Sequence, residues 1–179
     1  MRILPLVAAG TAMLLAGCDD RRSVPAPTAP LLSAHATSRA RVIQASGTFD
    51  AIVDFSTLTL TPASEGRNCL LTVKGQLVFD GTLEGPAVGQ TTALVFAPCA
   101  DVATNPPGTF PDVFKSELVF DGTVAGEPAR ANVIYTGRSR PGGHIDAYLL
   151  LYNGVVGTLE VDAQLAVGGS YRGPLVVRR

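Results

Sequence analysis

The chain has 179 residues, 46% of them hydrophobic, and 14 basic against 15 acidic side chains give a net charge of −1. The basic residues are dispersed without a block of like charge, so the footprint that phosphate binding needs is missing and no nucleic-acid partner is expected. The 19 glycines and 13 prolines are scattered so widely that no long segment keeps a helical apolar period, which excludes a mainly helical protein.

At the N-terminus Arg2 precedes an apolar stretch, Ile3 to Ala16, of 14 residues interrupted by Pro5 and Gly10. A membrane-spanning helix needs roughly 20 apolar residues, so this stretch is too short for one. It closes on Leu15-Ala16-Gly17-Cys18, which resembles the lipobox of bacterial lipoprotein precursors. The resemblance implies that residues 1–17 are a signal peptide removed ahead of Cys18, and that the Cys18 sulfur carries a diacylglyceryl group, with palmitate among the acyl chains. The expected partner is therefore a membrane, reached through lipid, and the expected location is the bacterial cell envelope, outside the cytoplasm. Asp19, under the sorting rule of enterobacterial lipoproteins, points to the periplasmic face of the inner membrane.

Residues 18–41 read as the lipidated cysteine and a flexible tether. Pro25, Pro27 and Pro30 favour an extended, polyproline-like path, no hydrophobic period supports a core, and His35 is expected to be solvated. Residues 42–179 are long enough for one domain with its own core.

Within that domain, short runs alternate apolar and polar residues between Gly, Pro, Asn or Asp, as half-buried antiparallel strands do. Strands are predicted over Gly47 to Asp54, Thr57 to Thr61 and Cys69 to Val73. Leu77-Val78-Phe79-Asp80-Gly81-Thr82-Leu83 then recurs, 41 residues on, as Leu118-Val119-Phe120-Asp121-Gly122-Thr123-Val124. In each copy the Leu, Phe and final apolar residue share a face with a mid-strand glycine, while Asp80, Glu84, Glu117 and Asp121 fall on the wet face. A glycine placed twice in this way suggests a sharply coiled sheet or a close backbone approach. A single aspartate per copy does not make a calcium loop, and no metal is expected.

Further strands are predicted over Thr91 to Phe96, Arg130 to Thr136 and Ile145 to Tyr152. In the last of these both faces are apolar, and burial as a central strand is preferred to an exposed patch around Tyr148 and Tyr152. Leu159 to Val167, a Gly168-Gly169 turn and Tyr171 to Val177 form a C-terminal hairpin. The segments Ala100 to Asp112 and Arg138 to Gly143 read as long loops, a common seat for binding sites. The roughly eight to ten strands fit a single antiparallel β-barrel of about eight strands, with a sandwich as the alternative.

With Cys18 assigned to lipid, Cys69 and Cys99 remain as an even pair in an exported domain and are predicted to form a disulfide. No catalytic residue can be named: His144 reads as a surface histidine, no nucleophile motif or phosphate loop occurs, and alternation places Glu84, Glu117 and Glu160 on the wet face. No cofactor is expected.

The segments Phe79 to Gly85, Phe120 to Gly126 and Gly168-Gly169-Ser170-Tyr171-Arg172-Gly173 resemble strand motifs of small bacterial barrels related to allene oxide cyclase and dirigent proteins. The resemblance covers about residues 45–178 and implies an eight-stranded antiparallel barrel with a hydrophobic cavity. The sequence thus leads to a membrane-anchored, non-enzymatic module that binds a small apolar ligand or a protein partner. Two alternatives stand beside it: an isomerase or cyclase that works by confinement, and a structural envelope protein.

Overall fold

The computed structural model describes residues 40–178. It contains β1 (Ala40–Ala63), β2 (Asn68–Gly81), β3 (Leu83–Val95), β4 (Asp112–Val124), β5 (Glu127–Ser139), β6 (His144–Tyr152), β7 (Val156–Gln164) and β8 (Gly168–Arg178), with one short helix, α1 (Cys99–Thr104). Each strand pairs antiparallel with the next, and β8 returns to β1, so the eight strands close into a barrel rather than a sandwich. The signal peptide, Cys18 and nearly all of the tether fall outside the described residues. The tether's last two predicted residues, Ala40 and Arg41, do not belong to it: they open β1, opposite Arg178 and Val177 of β8.

The alternation read from the sequence sets which side chains fill the barrel. Along β4 the inward positions Phe114, Ser116, Leu118, Phe120 and Val124 are buried, while Val113, Lys115, Glu117, Val119 and Asp121 face out. The repeat places its two phenylalanines inside on β2 and β4, with ring centroids 5.9 Å apart and edge to face. The strand between them leaves room because it offers Gly85 opposite Phe79 and Ala87 opposite Phe120.

The two copies of the repeat nevertheless differ. In the second, Gly122 lies within β4, as predicted. In the first, Gly81 ends β2 and the chain turns at Thr82 into β3, so Leu83 begins a new strand instead of continuing the old one. Gly81 takes φ 110°, a conformation open to glycine, and the corner closes with the Thr82 amide donating to the Ser46 carbonyl.

This corner lies at the closed end of the barrel. Tyr171 of β8 is buried there, and its hydroxyl accepts the Leu83 amide at 2.8 Å while its proton faces the carbonyls of Asp80 and Leu83, both at 3.2 Å. A side chain at Gly47 would bring its Cβ to 2.5 Å from that hydroxyl oxygen, so only glycine lets the ring seat. Phe120, Leu83, Leu149, Leu159 and Leu175, each with no exposed surface, complete the plug.

β6 departs from its predicted burial. Ile145, Ala147, Leu149 and Leu151 fill the core, but Tyr148, Leu150 and Tyr152 face out, 52%, 37% and 41% exposed. A strand in a closed barrel has one wet face unless another layer covers it, and nothing among the described residues does so. The predicted loop after Cys99 likewise begins as α1.

Candidate functional site: a cavity at the loop end

The opposite end of the barrel is built differently. The connections after β3, β5 and β7 meet there and are joined by backbone bonds: the Gly142 amide donates to the Gly108 carbonyl at 2.9 Å, and the Leu165 amide to the Gly143 carbonyl at 2.8 Å. The Gln164 side-chain amide adds a bond to the Gly142 carbonyl at 2.7 Å. A Cβ on Gly108 would lie 3.0 Å from the Gly143 Cα and one on Gly143 2.6 Å from the Gln164 side-chain nitrogen, so these two positions need glycine for the close approach, and Gly108, Gly142 and Gly143 take φ values of 85°, 96° and 81°. The long loop and the Arg-Ser-Arg-Pro-Gly-Gly loop predicted from the sequence therefore do gather at one end.

A disulfide braces this rim. Cys69 of β2 and Cys99 of α1 are bonded, with Cα atoms 4.8 Å apart, and sit in a small apolar cluster with Val95, Ala97, Val102 and Phe110.

Beneath the rim the barrel holds a cavity of about 200 Å³. Its walls include Phe49, Ala51, Leu77, Ala93, Phe114 and Leu118; the segment from Asn105 to Phe110 lies across one side. β1 continues past the end of β8, and its exposed Phe55 and Leu58 flank the opening. The barrel is thus packed solid at one end and hollow at the other.

Lys74, Gln76, Asn105, Thr109 and Gln164 line the cavity from β2 and the rim, and a further polar set comes from one sector of the wall. On β3, β4 and β5, Thr91 pairs across to Ser116 and Ser116 to Tyr135; nearer the rim, Val95 pairs to Asp112 and Asp112 to Ser139. The hydroxyls of Thr91 and Ser116 are 2.7 Å apart and bonded to each other. The Ser139 hydroxyl donates to Asp112 Oδ2 at 2.7 Å. Burial pushes the Asp112 carboxyl above the usual carboxylate range, with the Ser139 hydrogen bonds partly offsetting the rise.

Tyr135 is the exception to this pairing. It is 6% exposed, and its ring is held edge-on by Phe114 and Phe49, with centroids 4.9 and 6.0 Å away. Its hydroxyl is buried and has no hydrogen-bond partner in the protein. Burial drives its pKa far above the ordinary phenol value, and the Asp112 carboxylate adds to that rise, so the group stays protonated.

None of these residues was singled out from the sequence. Asp112 looked like the last residue of a loop, although it keeps phase with Phe114, Ser116, Leu118 and Phe120, and that phase was the available signal. Tyr135 shares the buried face of β5 with Ala131 and Val133, opposite Arg130, Asn132 and Ile134, but an inward tyrosine commonly finds a partner, so alternation alone does not mark it. Glu84, Glu117 and Glu160 lie outside, as alternation predicts: Glu117 bonds Lys115 at 2.5 Å, Glu160 pairs with Arg172 at 3.3 Å, and Glu84 is exposed. His144 is at the surface beside Asp146 and Asp162, at 3.4 and 3.8 Å.

No protein-family model matches the chain, and no curated protein matches it. Among solved structures it is similar to the crystal structure of a protein of unknown function from the DUF3224 family of Shewanella oneidensis MR-1. The two share 16% identity and a TM-score of 0.51 over 78% of this chain and 99% of that one. At that identity the likeness concerns the fold alone.

Proposed function

We propose that this protein is a lipid-anchored module of the bacterial envelope whose barrel binds a small apolar molecule at its loop end. The observation that carries this reading is the apolar cavity of about 200 Å³. An engineered cavity of about 150 Å³ in another protein holds benzene, so the volume suits a ligand of one ring or a short branched chain. The anchor rests on the lipobox-like Leu15-Ala16-Gly17-Cys18; a Cys18→Ser chain is expected in the soluble fraction, whereas wild type partitions with membranes.

Toluene titration tests the binding reading. A ligand held only by the folded state raises stability by about 1.4 kcal/mol at roughly ten times its Kd, so the thermal midpoint of the wild type should climb with toluene. Ala93→Phe, which fills the cavity from its wall, should abolish the climb. A wild-type midpoint unmoved up to the solubility limit of toluene overturns the reading.

A second reading, an isomerase that works by confinement, is favoured by one further observation: Asp112 and Tyr135 line the same cavity. An ionised Asp112 would take a proton α to a carbonyl, the C–H electrons would form the enolate double bond, and the Tyr135 hydroxyl would steady the oxygen that gains charge. Loss of α-hydrogens from acetophenone into deuterated solvent, abolished by Asp112→Asn, is the expected signature. Exchange at the buffer rate with wild-type protein rules it out.

A further inference from the structure

The ring of Tyr135 is clamped between Phe114 and Phe49, so its hydroxyl cannot turn out to water. Neither Ser116, its partner across β4 and β5, nor Asp112 of the same sector takes its proton: Ser116 bonds Thr91, Asp112 accepts from Ser139, and the Tyr135 hydroxyl has no partner. A buried donor left without an acceptor costs about 1–3 kcal/mol, and a folded protein keeps such a group only where something else offsets the cost. Beside an apolar cavity, a ligand atom is the natural candidate.

The chemistry of that atom follows from the groups around it. Tyr135 remains protonated and offers a proton, so its partner is an acceptor. An anionic acceptor is disfavoured because the walls are apolar and the Asp112 carboxyl shares the site; Lys74, the cation among the lining residues, is exposed on β2. We infer that the cavity selects a neutral one-ring molecule bearing a carbonyl-type oxygen, which accepts a hydrogen bond from the Tyr135 hydroxyl. This inference rests on the ligand-binding reading above and adds the class of ligand.

Two probes of matched shape separate the contributions: acetophenone, and α-methylstyrene, in which a methylene replaces the carbonyl oxygen. Affinities of the purified full chain would be measured by ligand-observed NMR titration. Tyr135→Phe should weaken acetophenone by about fivefold, a typical single hydrogen bond, and leave α-methylstyrene unchanged. Independently of any variant, the infrared carbonyl band of acetophenone bound to wild type should lie below its position in hexane. That measurement decides the matter if Tyr135→Phe does not fold. A bound band at the hexane position, or equal effects of Tyr135→Phe on both probes, overturns the inference while the binding reading stands. If neither probe binds wild type, both fall.

Discussion

Tyr171 and Tyr135 both point into the barrel, and their hydroxyls stand in opposite situations. That of Tyr171 is saturated by the backbone of the Gly81 corner, so its loss is a structural event. Tyr171→Phe keeps the ring but removes the acceptor of the Leu83 amide, and the expected cost is about 1–3 kcal/mol, seen as a fall of roughly 3–12 °C in the thermal midpoint. An unchanged midpoint would show that the corner does not depend on this bond. Asp112 makes a prediction in pH. Because burial raises its folded-state pKa, the folded chain holds a proton that the unfolded chain releases, and the stability of that neutral form is lost as pH rises through the raised value. Asp112→Asn stays neutral throughout. Its midpoint relative to wild type should therefore increase from strongly acidic to neutral pH, and a difference that shrinks over that range contradicts the assignment. At this scale period-two alternation, a local property, disclosed the shared face of Leu77, Phe79 and Leu83 and of Leu118, Phe120 and Val124, and the outward side of Glu84, Glu117 and Glu160. It did not disclose which inward polar groups find each other, because Asp112 and Ser139 meet only through pairing of β4 with β5.

Among elements, the disulfide and the repeat were legible, and each for a chemical reason. Once the lipobox-like motif is taken to claim Cys18, two cysteines are left as an even pair with no CxxC spacing, and a repeated Leu-x-Phe-Asp-Gly-Thr advertises its own alternation. The turn at Thr82 was not legible, because Asp80-Gly81-Thr82 leads into a corner while the matching Asp121-Gly122-Thr123 stays in a strand; the difference lies in Tyr171, 90 residues downstream of Gly81. The outer face of β6 misled for a related reason: Tyr148, Leu150 and Tyr152 are apolar by composition, and only the closed topology fixes them outward. The Cys69–Cys99 bond closes a span of 30 residues and ties α1 to β2. Replacing both cysteines with alanine should cost about 3–4 kcal/mol on the chain-entropy account, measured by denaturant unfolding. Because α1 leads into the segment that covers the cavity, the same variant should become susceptible to proteolysis between residues 99 and 111. Resistance there equal to that of wild type would mean that the apolar cluster around Phe110 holds the rim unaided.

The whole molecule divides its labour along the barrel axis. Eight strands give an interior just wide enough for side chains or for one small ligand; here Tyr171, Phe120, Leu83, Leu149, Leu159 and Leu175 fill one end, while at the other Ala51, Ala93 and Ser116 among larger apolar side chains leave a cavity. Closure is completed by β8 on β1, which brings Ala40 directly opposite Arg178. The two ends of the described chain are therefore neighbours, and a short linker joining them should allow new termini elsewhere. The β4–β5 connection, Ala125-Gly126, is a two-residue hairpin turn with φ values of 53° and 81°, exposed and at the closed end. A permutant of residues 40–178 opened there should fold and keep the toluene response, since the cavity lies at the other end. One opened between Pro106 and Pro107 severs the segment across the cavity and should fold with the response lost. If the first permutant folds without binding, or the second binds as wild type does, then the cavity does not depend on the rim in the way its contacts imply.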